Sequence, residues 1–428
     1  HQSDVSFMAA FMPTINPASI AEYFEFGLWG FAMSRYSGMW TGFKAISETV
    51  ESAASVNIDE LPAFKIPEDF EAPEGGLHYR WPDLPGPQLE TRIEHKLAAV
   101  AAFSRANPID KRIYDTQDAR FGIVTTGKAH LDLLAALELL GLDEDKCRAL
   151  GLDIYKVGLV WPLERSGAMD FVRGKQEVLV VEEKRGIIES QIKEYMSAPD
   201  ETINVTVVGK KDENGEPLIP YVGELGPNML ARYVADRITL LGSDFREQLA
   251  EVGVRGSMVC DPGGVRRLPY FCSGCPHNSS TKVPEGSRAQ AGIGCHFMAS
   301  WMNRKTESLI QMGGEGVNWI SKSRYLENKH VFQNLGEGTY FHSGSLAIRQ
   351  SLAANANITY KILFNDAVAM TGGQPVDGVI TVPAIANQVF AEGVQRIAIL
   401  SDEPEKFSDK SIFPSVATFH HRDELDTI

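Results

Sequence analysis

The sequence predicts an α/β protein built on mostly parallel sheets, and three observations carry that reading. Between residues 118 and 250, short apolar runs at 121–125, 154–160 and 178–181 read as strands. They alternate with helical runs at 130–140 and 187–195. Strands that alternate with helices need crossover connections, and these give a parallel sheet. Residues 255–428 repeat the pattern, with strand candidates at 332–335, 358–364 and 397–400. The third observation is size: 428 residues with 43% hydrophobic and 23% charged content can bury a large core. A chain of that length divides into about two to four domains.

Composition sets the boundaries. Residues 1–58 are rich in Ala, Phe, Trp and Met without strand alternation and read as helices, with Asn16-Pro17 as a helix start. In 59–117, Pro62, Pro67, Pro73, Pro82, Pro85 and Pro87 mark a connector that ends in one helix near 89–104. Residues 118–250 form the alternating block, with a turn at Asp212-Glu213-Asn214-Gly215-Glu216 inside a hairpin. Residues 251–428 form a second α/β domain.

A net charge of −15 argues against nucleic acid as a primary partner, because phosphate binding needs basic surface. No run of about 18 apolar residues appears, so no membrane span is expected. No secretory signal is expected either, and the reading is a cytoplasmic protein. The chain runs from His1-Gln2-Ser3 to Asp426-Thr427-Ile428, which suggests a piece of a longer protein.

Five cysteines in a chain of 47.1 kDa do not make a disulfide framework. Cys272 and Cys275 form a C-x2-C pair in Phe-Cys-Ser-Gly-Cys-Pro-His, and Cys295 follows in Gly-Ile-Gly-Cys-His. A C-x2-C turn, shaped here by Gly274 and Pro276, sets two thiolates side by side. Soft thiolates suit zinc or an iron–sulfur cluster. A tetrahedral site needs a fourth ligand, which is His277, His296 or a cysteine beyond Ile428. Spacing alone leaves iron–sulfur, zinc and unligated thiols all open. Cys147 and Cys260 read as plain buried or free thiols.

The second constellation is Gly336-Glu337-Gly338-Thr339, which follows an apolar strand, paired with Asn365 at the end of the next strand. Asn365 opens Asn-Asp-Ala-Val-Ala-Met-Thr-Gly-Gly-Gln-Pro. A diphosphate needs a hard cation, and magnesium takes oxygen ligands. A carboxylate and an amide oxygen at adjacent strand ends can share one ion, and flanking glycines let backbone approach phosphate. Two ordinary glycine-rich turns would also explain either piece alone.

Together these residues resemble the 2-oxoacid:ferredoxin oxidoreductases, and the Cys-x-Gly-Cys-Pro-His loop with residues 357–375 resembles the indolepyruvate type in its long single-chain form. The resemblance implies a thiamine-diphosphate-binding fold with a transketolase-C-terminal-like parallel-sheet domain. Residues 1–58 would be the end of a pyrimidine-binding domain, 118–250 the transketolase-C-terminal-like domain, and 251–428 the diphosphate-binding domain. It also implies roles. Glu337, where the family usually has Asp, Asn365 and the Ala367 carbonyl would hold Mg2+. Gly336, Gly338, Thr339, His342, Thr371 and Gly372 would line thiamine diphosphate. Cys272, Cys275 and Cys295 would hold three corners of a [4Fe–4S] cluster, and His277 would face the cofactor as a catalytic group.

The implied reaction is oxidative decarboxylation of a 2-oxoacid, such as the aryl pyruvate indolepyruvate, to acyl-CoA and CO2. Coenzyme A takes the acyl group, ferredoxin takes the electrons, and a homodimer is expected. The fourth cluster cysteine is expected after Ile428 and the pyrimidine-activating glutamate before His1, so this chain alone is expected to be inactive. Other readings are a non-oxidative thiamine-diphosphate lyase or transferase with structural zinc, and a structural or electron-carrier module that binds no thiamine.

Overall fold

The computed structural model describes residues 2–58, 62–199, 203–239, 245, 247–250, 268–378 and 380–428. Cys260 lies outside the described residues. The chain divides into two compact units, His1–Asp261 and Pro262–Ile428. No helix among the described residues is long and apolar enough to cross a membrane.

The first unit contains β1 (Thr14–Ile15), β2 (Gly42–Phe43), β3 (Lys111–Arg112), β4 (Phe121–Thr126), β5 (Leu152–Val157), β6 (Leu159–Trp161), β7 (Glu177–Val181) and β8 (Thr206–Val208). Its main sheet has the order β3-β5-β4-β7-β8. The β5-β4-β7-β8 pairings are parallel and β3 is an antiparallel edge. Every position of β4, β5 and β7 is buried. These strands are therefore mostly apolar along their length, as strands covered on both faces are, with Asp153 and Lys156 of β5 as buried exceptions. Ile123, Ile154, Leu179 and Val181 pack with Leu133 and Leu137 of helix Gly127–Leu139 and with Leu230 and Val234 of helix Pro227–Ile238. The alternate residues Val124, Tyr155, Val157, Val178 and Val180 meet Phe171, Ile188 and Ile192 on the other side. Each such side chain, fully buried, contributes about 1.5–3 kcal/mol.

Helix Ile20–Ser37 packs on helix Gln88–Ala106 through Phe26, Trp29, Met33, Val100 and Phe103. This early segment also docks on the carboxyl ends of the main sheet. Asn16 Nδ2 donates to Thr126 Oγ1 at 3.2 Å, and Glu22 pairs with the buried Lys156. In open α/β sheets ligands favour that end of the strands. Here side chains from the first 22 positions occupy the ends of β4 and β5.

Three local expectations change. Residues 1–58 are not purely helical: β1 pairs with β2 in parallel and with β6 antiparallel. The helix start is Ser19 rather than Asn16-Pro17, since the Ser19 side chain accepts from Glu22 N at 3.4 Å and Glu22 Oε2 accepts from Ala18 N at 2.8 Å. The strand expected over 154–160 is two strands. At Gly158 the chain leaves the main sheet, because the Asp110 carboxylate takes the N–H groups of Gly158 at 2.7 Å and Leu159 at 3.1 Å.

The second unit holds a parallel four-stranded sheet of order β10-β9-β11-β12, formed by β9 (Ala289–Gln290), β10 (Thr306–Glu307), β11 (Val331–Gly336) and β12 (Ile358–Leu363). A parallel pair, β13 (Ile397–Ser401) and β14 (Ala417–His421), follows. Leu335, Tyr340, Ile348, Ile385 and Val389 form the core between β11 and the helices Ser345–Ala353 and Val382–Ala391.

Candidate functional site

β11 and β12 run in parallel with Gly336 opposite Leu363, so Glu337 and Asn365 leave the same end of neighbouring strands. Glu337 is 4% exposed and starts the short helical turn Glu337–Thr339. Its Oε1 accepts from Asn365 N at 2.9 Å and from Ala367 N at 3.2 Å. Asn365 Oδ1 accepts from the same Ala367 N–H at 3.2 Å. Two oxygens that share one donor lie within a few ångströms of each other, which is the spacing one cation requires. Asp366, between them, has a φ of +61° that folds the backbone around the carboxylate. A carboxylate and an amide oxygen are donors of the kind a hard divalent ion takes, and Gly336 and Gly338 stand on either side of the carboxylate in the chain.

Thr371 and Gly372 lie farther along the same loop. Thr371 Oγ1 donates to Gln374 Oε1 at 3.1 Å, and Val368 N donates to the Gln374 carbonyl at 2.8 Å, which closes the loop on itself. His342 is exposed, with Nδ1 at 2.5 Å from Ser343 Oγ.

The cysteine loop takes the expected turn. Cys275 N donates to Cys272 O at 3.0 Å, and Gly274 sits at a φ of +78°, where a side chain would be strained. Cys272 is exposed, Cys275 and Cys295 are half-buried, and all three are free thiols. Burial raises the Cys295 pKa first, and the thiols of Cys275 and Cys272 raise it further. Among the described residues no group of three or more His, Cys, Asp and Glu side chains stands at metal-ligating geometry. Cys147 is separate, fully buried in the first unit, with burial pushing its thiol up to about 11.

His277 follows Pro276 at the start of a helical turn and is 7% exposed. Burial lowers its pKa, and the Glu337 carboxylate opposes that shift, which brings the cysteine loop and the strand-end carboxylate into one electrostatic neighbourhood. His296, next to Cys295, is held neutral to about 4 by burial and then by His277.

Several residues of this region were not singled out from the sequence. Arg304 donates to Asn278 O, to Asn278 Oδ1 at 2.5 Å and to Thr281 Oγ1 at 2.5 Å, and its guanidinium lies 5.6 Å from the centre of the Phe271 ring. It therefore clasps both sides of the cysteine loop. Glu315 is fully buried, with Oε2 accepting from Gly313 N at 2.6 Å and Oε1 without a partner. Burial raises its pKa, and His342 stands near enough to oppose the shift. A signal for it existed, since Gly314-Glu315-Gly316 repeats the Gly-Glu-Gly tripeptide of 336–338. For Arg304 no local signal exists.

Residues 111–253 match the indolepyruvate oxidoreductase domain family. The chain is 26% identical over 410 residues to the indolepyruvate oxidoreductase subunit IorA of Pyrococcus abyssi, covering 88% of this chain and 59% of that protein. This chain is thus similar to indolepyruvate oxidoreductases. The same subunit of Pyrococcus horikoshii is 24% identical over 431 residues, covering 92% of this chain and 62% of that protein. The chain thus spans about 60% of the length of these indolepyruvate oxidoreductase relatives. The family match falls in the first unit, whereas the similarity to the subunits, at 88% of the chain, exceeds either unit and reaches the candidate site's unit as well. A 2-oxoglutarate:ferredoxin oxidoreductase from Magnetococcus marinus overlaps with a TM-score of 0.31 and 13% identity over 53% of this chain and 42% of that one, too little to argue from.

Proposed function

We infer that this chain is the cofactor-binding part of a 2-oxoacid oxidoreductase that uses thiamine diphosphate and Mg2+. The observation that carries the reading is the Glu337 carboxylate tied to Asn365 and Ala367 across the ends of two parallel strands. In this reading Glu337, Asn365 and the Ala367 carbonyl hold Mg2+, and Gly336, Gly338 and Thr339 lie along the diphosphate. His342, Thr371 and Gly372 lie around the same cofactor. Bound there, thiamine diphosphate supplies the electron sink that lets a 2-oxoacid lose CO2. His277, neutral and buried beside Glu337, gives the substrate an uncharged hydrogen-bonding group. Cys272, Cys275 and Cys295 would hold three corners of a [4Fe–4S] cluster, which would supply one-electron transfer toward ferredoxin, with coenzyme A as acyl acceptor.

The domain assignment follows the same reading. Residues 1–58 belong to a pyrimidine-binding domain, 59–117 to a connector, 118–250 to a transketolase-C-terminal-like domain and 251–428 to the diphosphate-binding domain. The names of the Pyrococcus relatives favour indolepyruvate as substrate. A cytoplasmic homodimer is the proposed working form.

The test is binding of thiamine diphosphate, followed by intrinsic fluorescence with and without Mg2+. The parent chain should bind only with Mg2+, and Glu337→Ala should weaken binding by about a hundredfold or more, as loss of a charged ligand to a bound ion would. Unchanged affinity in Glu337→Ala would remove Glu337 from the site.

A further inference from the structure

The segment carrying Cys295 and the segment carrying Glu337 are far apart in sequence, yet one side chain lies against both. The imidazole of His296 is 5% exposed and folds back beneath its own loop. A methyl group placed on Gly292 would stand 2.6 Å from His296 Nε2, and one on Gly294 would stand 2.6 Å from His296 Cε1. Neither position has room for a side chain while the ring is there. The ring also reaches the strand end, since a methyl group on Gly336 would meet His296 Cε1 at 3.4 Å. The imidazole therefore lies against both the two glycines that precede Cys295 and the first glycine of the Gly-Glu-Gly motif.

This neighbourhood is polar and incompletely bonded. His296 Nε2 is buried with no hydrogen-bond partner, and so are both amide atoms of Asn334. Asn334 is two positions before Gly336 on β11 and so shares its face of the sheet. Its carbonyl oxygen, like His296 Nε2, lies against Gly292. Buried polar atoms left without partners are costly, about 1–3 kcal/mol each, so an arrangement that keeps three of them together suits a region that takes up a polar guest.

We propose that His296 is a positioning residue that couples the Cys295 loop to the cofactor loop at Gly336, so that filling the diphosphate site fixes Cys295 in place. The proposal rests on the thiamine-diphosphate reading above and adds a mechanical link which that reading does not require. A closely packed ring cannot follow one loop without the other, because interiors have no spare volume to absorb the movement. His296 touches no substrate in this scheme, and it acts through the two loops it lies against.

The experiment is alkylation of the reduced, metal-free chain by iodoacetamide, with the rate at each cysteine read by peptide mass spectrometry. It is run with and without saturating Mg2+ and thiamine diphosphate, whose binding is measured separately by fluorescence. In the parent chain the cofactor should slow alkylation of Cys295 by about fivefold or more, the lower end of usual coupling between two sites. The exposed Cys272 should be unaffected. His296→Ala should still bind the cofactor and lose the protection of Cys295. His296→Asn, which keeps a polar group but is too short to span to Gly336, should lose it too and serves if the alanine variant does not fold. Binding without protection in the parent chain overturns the coupling. So does protection that persists in the variants, since the cofactor would then cover Cys295 directly. No cofactor binding in the parent chain overturns the thiamine-diphosphate reading, and the coupling with it.

Discussion

Arg304 holds the cysteine loop with a forked, charge-assisted set of hydrogen bonds to Asn278 and Thr281, while Phe271 lies against its guanidinium. Those contacts bracket Cys272 and Cys275 in sequence, so the loop's shape depends on one planar cation. Hydrogen bonds to a charged group contribute about 1.5–3 kcal/mol each. Arg304→Leu should lower the stability of the second unit by about 2 kcal/mol or more, read as a shift of the urea midpoint. It should also speed alkylation of Cys275, which is half-buried in the intact loop. Arg304→Lys should not rescue either effect, because a single ammonium cannot bridge a carbonyl, an amide oxygen and a hydroxyl in one plane. Full rescue by lysine would mean that charge alone matters. The same reasoning explains why residue identity in the sequence went only so far. Glu337 and Asn365 announced themselves through glycine spacing along the chain. Arg304 matters through Asn278, Thr281 and Phe271, more than twenty positions earlier, and no local pattern links it to them.

At the scale of elements, helix Gly127–Leu139 carries a titration that links sheet and helix. Its His130 is 6% exposed and sits with Nδ1 at 3.0 Å from Thr125 Oγ1 at the end of β4. Burial first, then the Lys156 charge, lowers its pKa to about 4, with Glu22 opposing. An unfolded histidine titrates near 6.5, so as the pH falls the unfolded chain takes up the proton before the folded one. The stability that neutral His130 contributes is whole above about pH 6.5, shrinks as the pH falls toward 4, and is gone below that. At 1.36 kcal/mol per unit the loss is about 3 kcal/mol. Between pH 7.5 and 4, parent protein should therefore lose about 3 kcal/mol more than His130→Gln in urea unfolding. Asp110, raised to about 6, and Glu182, raised to about 7, both by burial, act in the opposite sense, but equally in both proteins. Parallel pH profiles would show that His130 is not the group responsible. The elements themselves were legible in proportion to their length. β4 and β7 stand out as mostly apolar stretches of five or six residues because they are buried on both faces. β1, β2, β9 and β10 have two residues each, which is too short for any alternation to register. The break between β5 and β6 depends on Asp110, nearly fifty positions earlier, capturing two backbone N–H groups.

At the scale of the whole molecule, the two units divide the relationships between them: the domain-family match lies in the first and the candidate cofactor residues in the second. Ligand binding offers a measurement that reads the second unit through the stability of the chain. A ligand that binds only the folded state stabilises it by mass action, by about 2.7 kcal/mol at a hundred times its Kd. Mg2+ with thiamine diphosphate at that concentration should raise the thermal midpoint of the unfolding transition to which Glu337 belongs. Chelation of Mg2+ by EDTA should reverse the rise, since without the ion the Glu337 carboxylate and the diphosphate repel each other. Thiamine without its phosphates should give no shift, because the oxygens gathered at Glu337 and Asn365 have nothing to share with it. Glu337→Ala should respond to none of these additions. His130→Gln, in the other unit and remote in sequence from these residues, should keep the full ligand response while starting from its own pH-dependent baseline. A rise caused by Mg2+ alone, equal in the parent and in Glu337→Ala, would instead reflect general screening of the net charge of −15. The comparison of the two variants separates a built site from that bulk effect.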